Sequence, residues 1–336
     1  METGAEIDVV HSGGAVSGTL AQRLLETNFS VDALRPCADP NSPHVQATLR
    51  RDEWIQYDTA IIEVAQQRLV GVQDLMSRGL TYDLPNALGK TSIEWETVSD
   101  MDEAETSMAG VTRAQNDRID FDITSMPVPI VHKEFSLNIR ALNASRTTGT
   151  ALDTTQARLA TRKVTEKIEQ MLYLGSTVIG SNSPIYGYTT APNRNTGSVT
   201  ASWVTATGTQ MLTDLIAMIN AANAVNMYGP FIMYVPLAVF THMGEDFKAE
   251  SDKSIMTRLL ETPNLTEIKS SETLTGTNIL LVQMTSDVID IIDGIQPTAV
   301  QWETEGGFVQ NFKVMAIMPP RVKSTYTTQS GIVHYS

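Results

Sequence analysis

A single cysteine, Cys37, leaves no intrachain disulfide to staple the fold and no cysteine cluster for a structural zinc ion. Folding in a reducing cytoplasm follows. No stretch approaches about 18 uninterrupted apolar residues, the length at which a helix begins to span a bilayer. The opening METGAEIDVVHSGG has neither the basic start nor the continuous apolar run of a signal peptide. The sequence therefore predicts no membrane partner. Basic residues are scarce too: 24 Lys and Arg stand against 38 Asp and Glu, a formal charge of -14. Proteins that grip phosphate backbones concentrate cations, so this balance argues against a repressor or polymerase. It leaves room for a container to whose walls packed DNA does not stick.

The motifs of common chemistries are missing as well. GKTS at 89–92 resembles the end of a phosphate-binding loop, but the first glycine of that motif would fall at Leu84, and a strand rather than a helix follows. No nucleophile elbow, H-E-x-x-H helix or dinucleotide-binding glycine turn occurs. His11, His44, His132, His242 and His334 are scattered, with no pair at helical ligand spacing. Asp287, Asp290 and Asp293 alternate with apolar residues and read as the solvent side of a strand and its turn. The sequence predicts no catalytic residue, no cofactor and no metal.

What is present is enough to fold. Hydrophobic residues make up 42% and charged residues 18%, globular values that leave a chain of 336 residues a sizeable core, in two domains or in one with extended attachments. Residues 1–49 are rich in Gly, Ser, Asn and Pro and read as an extended arm, with three arginines against six carboxylates through Arg50. Helical periodicity covers 51–77, with a weak point at Gly71 and a stop at Gly79. KTSIEWETVSD and RIDFDITSMPVPIVHKEF then alternate with a period of two and predict an extended hairpin. Its connection far exceeds the usual 2 to 5 residues or so of a compact hairpin loop. Glu94, Glu96, Asp100, Asp102, Glu103 and Glu105 fall there with no cation among them. That is either a solvated surface loop or a segment met by basic groups on another surface.

The strongest helix runs from about 154 to 174. Asp153 is its predicted cap, Gln156 completes a capping box, and Gly175 ends it. Ala157, Ala160, Val164, Ile168 and Met171 form its apolar stripe, while Arg158, Arg162, Lys163, Glu166, Lys167 and Glu169 crowd the other faces. Residues 184–203 are turn-rich and read as hairpin-like. Alternating helices and strands follow from about 211, ending in a strand pair joined through 305–307, a mixed α/β layer arrangement.

This order of parts, α+β overall, resembles the Hong Kong 97 phage capsid fold. LRRDEWIQYDTAIIEVAQQRLVGVQDLMSRGLTY, EWETVSDMDEAETSMAGVTRAQNDR, PVPIVHKEFSLNIRAL and LDTTQARLATRKVTEKIEQMLYLG are similar to stretches of tailed-phage major capsid proteins related to encapsulins, over most of 49–200. FKVMAIMPPRVKSTYTTQSGIVHYS resembles that family's ending. The resemblance implies an N-terminal arm at 1–49, a helix at 50–80 and an extended loop at 81–140. It further implies a peripheral domain at 141–204 with a spine helix at 153–174, an axial α/β domain at 205–305, and late strands at 306–336 returning to the peripheral domain.

By the same resemblance the chain partners itself, in hexamers and pentamers of an icosahedral shell around double-stranded DNA held without sequence-specific binding. The shell would be a virion capsid assembled in the bacterial host cytoplasm. The extended loop would lie across a neighbouring subunit. Glu94, Glu96, Asp102, Glu103 and Glu105 would there meet cations, with Arg158, Arg162, Lys163, Arg50 and Arg51 as candidates; the alternative is that these charges only keep a face soluble. No long helical scaffold segment opens the chain, so a separate scaffolding protein is expected, with portal and decoration proteins as further partners. Two other classes remain: an encapsulin compartment around a cargo enzyme, and an α/β enzyme built on 205–305.

Overall fold

The computed structural model describes residues 51–99, 101, 108, 118–140, 154–177, 184–248 and 253–336; the arm expected at 1–49 lies outside them. The chain opens on α1 (Arg51–Arg68) and α2 (Val70–Ser77). The helix breaks at Leu69, with φ of -88° and ψ of 65°, two residues before the weak point read at Gly71. β1 (Thr81–Asp83) follows, then the strands β2 (Ser92–Val98) and β3 (Phe121–Pro127), which pair antiparallel in unbroken register from Ser92 opposite Pro127 to Val98 opposite Phe121. β4 (Val131–Asn138) leaves the hairpin and joins a different sheet.

α3 (Thr155–Leu174) is the long helix. Its cap differs from the expected one. Thr154 occupies the cap position and makes no side-chain cap bond, and Asp153 lies outside the described residues. The third helical residue is then Ala157, which has no group to reach back and is fully buried; packing rather than capping holds this end. At the other end Gly175 stops the helix as expected. Its φ is 74°, and a Cβ there would stand 2.4 Å from the carbonyl oxygen of Ile185.

Residues 184–203 do not form a hairpin. Tyr188 N–H donates to the Leu172 carbonyl at 3.0 Å and Thr189 N–H to that of Tyr173 at 2.9 Å, so the segment satisfies its backbone on the end of α3. Its one short strand, β5 (Asn195–Gly197), runs parallel to β13 (Ile332–Tyr335). Between them come α4 (Gly208–Asn223), β6 (Phe231–Pro236), α5 (Leu237–His242), α6 (Ile255–Leu260), β7 (Leu265–Ser271), β8 (Ile279–Gln283), β9 (Ile289–Asp293), β10 (Ile295–Thr304), β11 (Val309–Ile317) and β12 (Pro320–Val322). The capping box sits on α4: Thr207 accepts from the Gln210 N–H, and Gln210 Oε1 accepts from the Thr207 N–H at 3.0 Å.

The sheets follow from burial. A five-stranded mixed sheet has the order β5-β13-β8-β6-β7, and β6 is buried on both faces, which explains its unbroken apolar run. A three-stranded sheet, β10-β11-β4, carries α1 and α3. Tyr57, Phe135 and Phe312 stack there at centroid distances of 5.6, 6.3 and 5.1 Å, with Trp54 edge-on to Phe312 at 6.2 Å. A second three-stranded sheet has the order β1-β9-β12. The largest core runs without interruption from Ile61, Leu69 and Val72 through Ile168 and Leu172 to Ile232, Leu281 and Leu215. Among the described residues no helix is long and apolar enough to cross a membrane.

Candidate assembly surfaces

The β2–β3 hairpin carries several large apolar side chains that its own chain leaves uncovered. At the root Ile93 and Met126 are buried opposite one another. Toward the tip Val98, Phe121 and Ile123 stand 50%, 63% and 62% exposed. Directly opposed residues of an antiparallel pair share a face. Ile123 opposes Glu96 and Phe121 opposes Val98, so these three apolar side chains lie on one face with Glu94 and Glu96. Ile93, Trp95 and Thr97 point the other way. A two-stranded hairpin alone in water is marginal, and one that exposes aromatic and branched side chains gains by docking against another surface.

A buried ion cluster fixes the root. Arg321 on β12 is the cross-strand partner of Asp290 on β9 and donates twice to it, from Nε at 2.8 Å and Nη2 at 2.5 Å. Lys323 adds a contact at 2.7 Å. The Arg321 guanidinium lies 4.3 Å from the ring centre of Tyr82 in its own sheet and 5.6 Å from that of Trp95, so it joins the hairpin to the β1-β9-β12 sheet. Asp290 is therefore not on the solvent side of its strand; it is 4% exposed, while Asp287 is exposed and Asp293 half-buried. Period-two alternation cannot distinguish water from a buried arginine on the polar side. The arginine inside MPPRV and the aspartate inside VIDII are the signals that could have paired them.

The basic candidates fall on the outer face of α3, where each meets a carboxylate of its own chain. Arg158 Nη2 pairs with Glu63 at 2.8 Å, Arg162 Nε with Glu166 at 2.6 Å, and Lys163 Nζ with Glu166 at 2.8 Å. Lys163 first, and then Arg162, hold the Glu166 carboxyl below its ordinary range. The three basic side chains remain 45% to 64% exposed, beside Leu159 at 54%. Glu94 and Glu96 are exposed on the hairpin, and among the described residues no ion pair within the chain joins them to α3. Arg51 is the first residue of α1; Arg50, Asp102, Glu103 and Glu105 lie outside the described residues.

Asp74 and Glu169 are buried carboxylates that sequence pattern alone does not mark. Asp74 on α2, its side chain 2% exposed, accepts from Lys269 at 2.8 Å, Tyr234 at 2.7 Å and Arg78 at 3.2 Å. Burial pushes its carboxyl up, but these donors outweigh burial and hold it below the ordinary value. Glu169 on α3 is 7% exposed and accepts from the backbone N–H groups of Gly71 at 2.7 Å and Val72 at 3.4 Å. Burial raises its carboxyl to about 7, with the two N–H groups opposing. Both sit in helical patterns where a charged residue passes for the polar face.

A family model described as a family of unknown function, DUF6260, matches residues 43–335. The type 1 encapsulin shell protein EncA of Myxococcus xanthus (strain DK1622) is 25% identical over 199 residues, which are 57% of this chain and 61% of that protein. The match thus spans about three-fifths of the relative's length. Among solved structures, the virus-like particle from Pyrococcus furiosus superposes with a TM-score of 0.60 at 17% identity, over 84% of this chain and 99% of that one. The capsid of Myoviridae phage XM1 does so with a TM-score of 0.61 at 11% identity, over 77% and 90%. The fold is the Hong Kong 97 capsid fold.

Proposed function

The chain belongs to the DUF6260 family, and from that premise we propose that it is the major capsid protein of a tailed phage, self-assembling through hexamers and pentamers into an icosahedral shell around double-stranded DNA. The observation that carries the assembly reading is the hairpin, a two-stranded element with Val98, Phe121 and Ile123 half or more exposed on a face it shares with two carboxylates. A copy of the same chain is the natural cover. Residues 81–140 would then form the extended loop laid over a neighbour and α3 the spine of the peripheral domain. Glu94 and Glu96, with Asp102, Glu103 and Glu105, would meet cations of the adjacent subunit, among them Arg50, Arg51, Arg158, Arg162 and Lys163. The acidic balance of the chain suits a wall that DNA does not wet. Scaffolding, portal and decoration proteins would complete the particle, and its place would be the virion.

A second reading, an encapsulin shell around a protein cargo, is favoured by the similarity to EncA. One preparation separates the readings. Particles of megadalton size with a dense nucleic-acid core support the phage capsid; particles of that size with a co-purifying protein and no nucleic acid support the compartment. A small soluble oligomer would refute both. Replacing Phe121 and Ile123 together by serine should leave a folded subunit that no longer forms particles by size-exclusion chromatography and negative-stain microscopy.

A further inference from the structure

The junction of α1 and α2 is held by a residue far away in the chain. Leu69 breaks the helix, and the first turn of α2 begins with N–H groups that have no partner in the preceding turn. Glu169 supplies one, through Oε1 on Gly71 and, more loosely, Oε2 on Val72. The fit is tight. A Cβ on Gly71 would meet Leu172 Cδ2 and the Tyr173 hydroxyl at 2.8 Å and Glu169 Oε1 at 3.1 Å, so any larger residue forces these buried side-chain ends to shift.

We propose that Glu169 is a proton-operated latch, holding the α1–α2 junction against α3 while its carboxyl is neutral and loosening it on ionisation. Among the described residues, the groups around it include no cation paired with it. From α3 itself comes Tyr173 and from the strap after it Tyr188, both fully buried. Beyond these two tyrosines lie Asp74 on α2, whose charge reaches both, and Tyr234 on β6, whose ring packs on both and whose hydroxyl is already given to Asp74. The nearby cations, Lys269 and Arg78, are engaged by Asp74 and Glu267. The Tyr188 hydroxyl has no hydrogen-bond partner among the described residues. A neutral acid keeps its carbonyl oxygen on Gly71, where the short bond is; a carboxylate puts a charge beside two buried tyrosines with two backbone dipoles to answer it.

The direction follows from linkage. The carboxyl stands at about 7 in the folded protein against 4.5 ordinarily. Its contribution is whole below the ordinary value and is lost as pH rises through about 7. The inference concerns the subunit and does not depend on what the shell encloses.

The test uses the intact, assembled protein and its Glu169→Gln variant, which keeps the acceptor and removes the titration. Hydrogen exchange of residues 69–76, read by mass spectrometry and corrected for the intrinsic effect of pH, should show opening of the wild-type junction increasing about tenfold from pH 6 to pH 8. The variant should show no such increase. Infrared spectra of the wild type supply a measurement that does not need the variant to fold: the carbonyl stretch of a buried carboxylic acid should fade over the same range. Equal pH dependence in both proteins, or a wild-type spectrum without a fading carboxylic-acid band, would overturn the latch.

Discussion

Replacing Arg321 by methionine tests how the hairpin is anchored. Methionine keeps most of the aliphatic stem, so the change isolates the charge and its hydrogen bonds. In the native protein the Arg321 and Asp290 side chains are 7% and 6% exposed, and the pair is bidentate. Breaking a buried pair from one side costs about 3 to 5 kcal/mol, because the partner charge stays buried. Lys323, 20% exposed and 2.7 Å from Asp290, remains as a counter-charge and moves the figure toward the lower end. Loss of the stacking on Tyr82 and Trp95 adds about 1 kcal/mol. A destabilisation of about 4 kcal/mol is expected. Urea unfolding at fixed protein concentration, followed by tryptophan fluorescence, reads it, since Trp95 lies beside the lost group. The double change Arg321→Met with Asp290→Asn should recover about half of the loss, because the stranded charge goes with its partner. A single-variant cost below about 1 kcal/mol, or strict additivity of the two changes, would refute a buried clamp.

Gly71→Ala should destabilise by about 1 to 3 kcal/mol through overpacking against Leu172 and Tyr173, seen as a lowered melting temperature. Asp214→Asn should cost about 2 kcal/mol. One carboxylate oxygen accepts from the Trp203 indole at 2.8 Å while both face the Thr200 N–H at 3.1 to 3.2 Å, and an amide presents a donor to one of these donors. Trp203 is fully buried, so altered tryptophan emission with an unchanged melting temperature would count against that account.

Much of the architecture was legible because it is written in local periods. The alternation in SIEWETV and FDITSMP gave the hairpin, the stripe from Ala157 to Met171 gave the long helix, and Gly175 marked its end. Local rules failed where the partner was remote. Leu69 breaks a helix that its neighbours favour, and what holds the break is Glu169, 98 residues from Gly71. The segment at 184–203 looked like a hairpin because its prolines and glycines mark turns, yet its short strand is completed by β13. Asp290 and Arg321 are each ordinary in isolation, and only the β9–β12 register makes them a pair. Of the candidate contact residues, the sequence named those on the hairpin and on α3. It did not indicate that Glu63 and Glu166 already engage the cations.

The clamp beneath the hairpin also sets a schedule. Trp95 is made early and Arg321 more than two hundred residues later, and β4 must likewise wait for β11 before its edge is paired. A ribosome therefore carries a chain whose exposed hairpin is written but has no fixed root. Non-local pairings of this kind form late and leave sticky strands exposed in the meantime. Under the proposed assembly, neighbouring nascent chains would register their hairpins against each other only after synthesis has passed Arg321, so that lattice growth would wait for whole subunits.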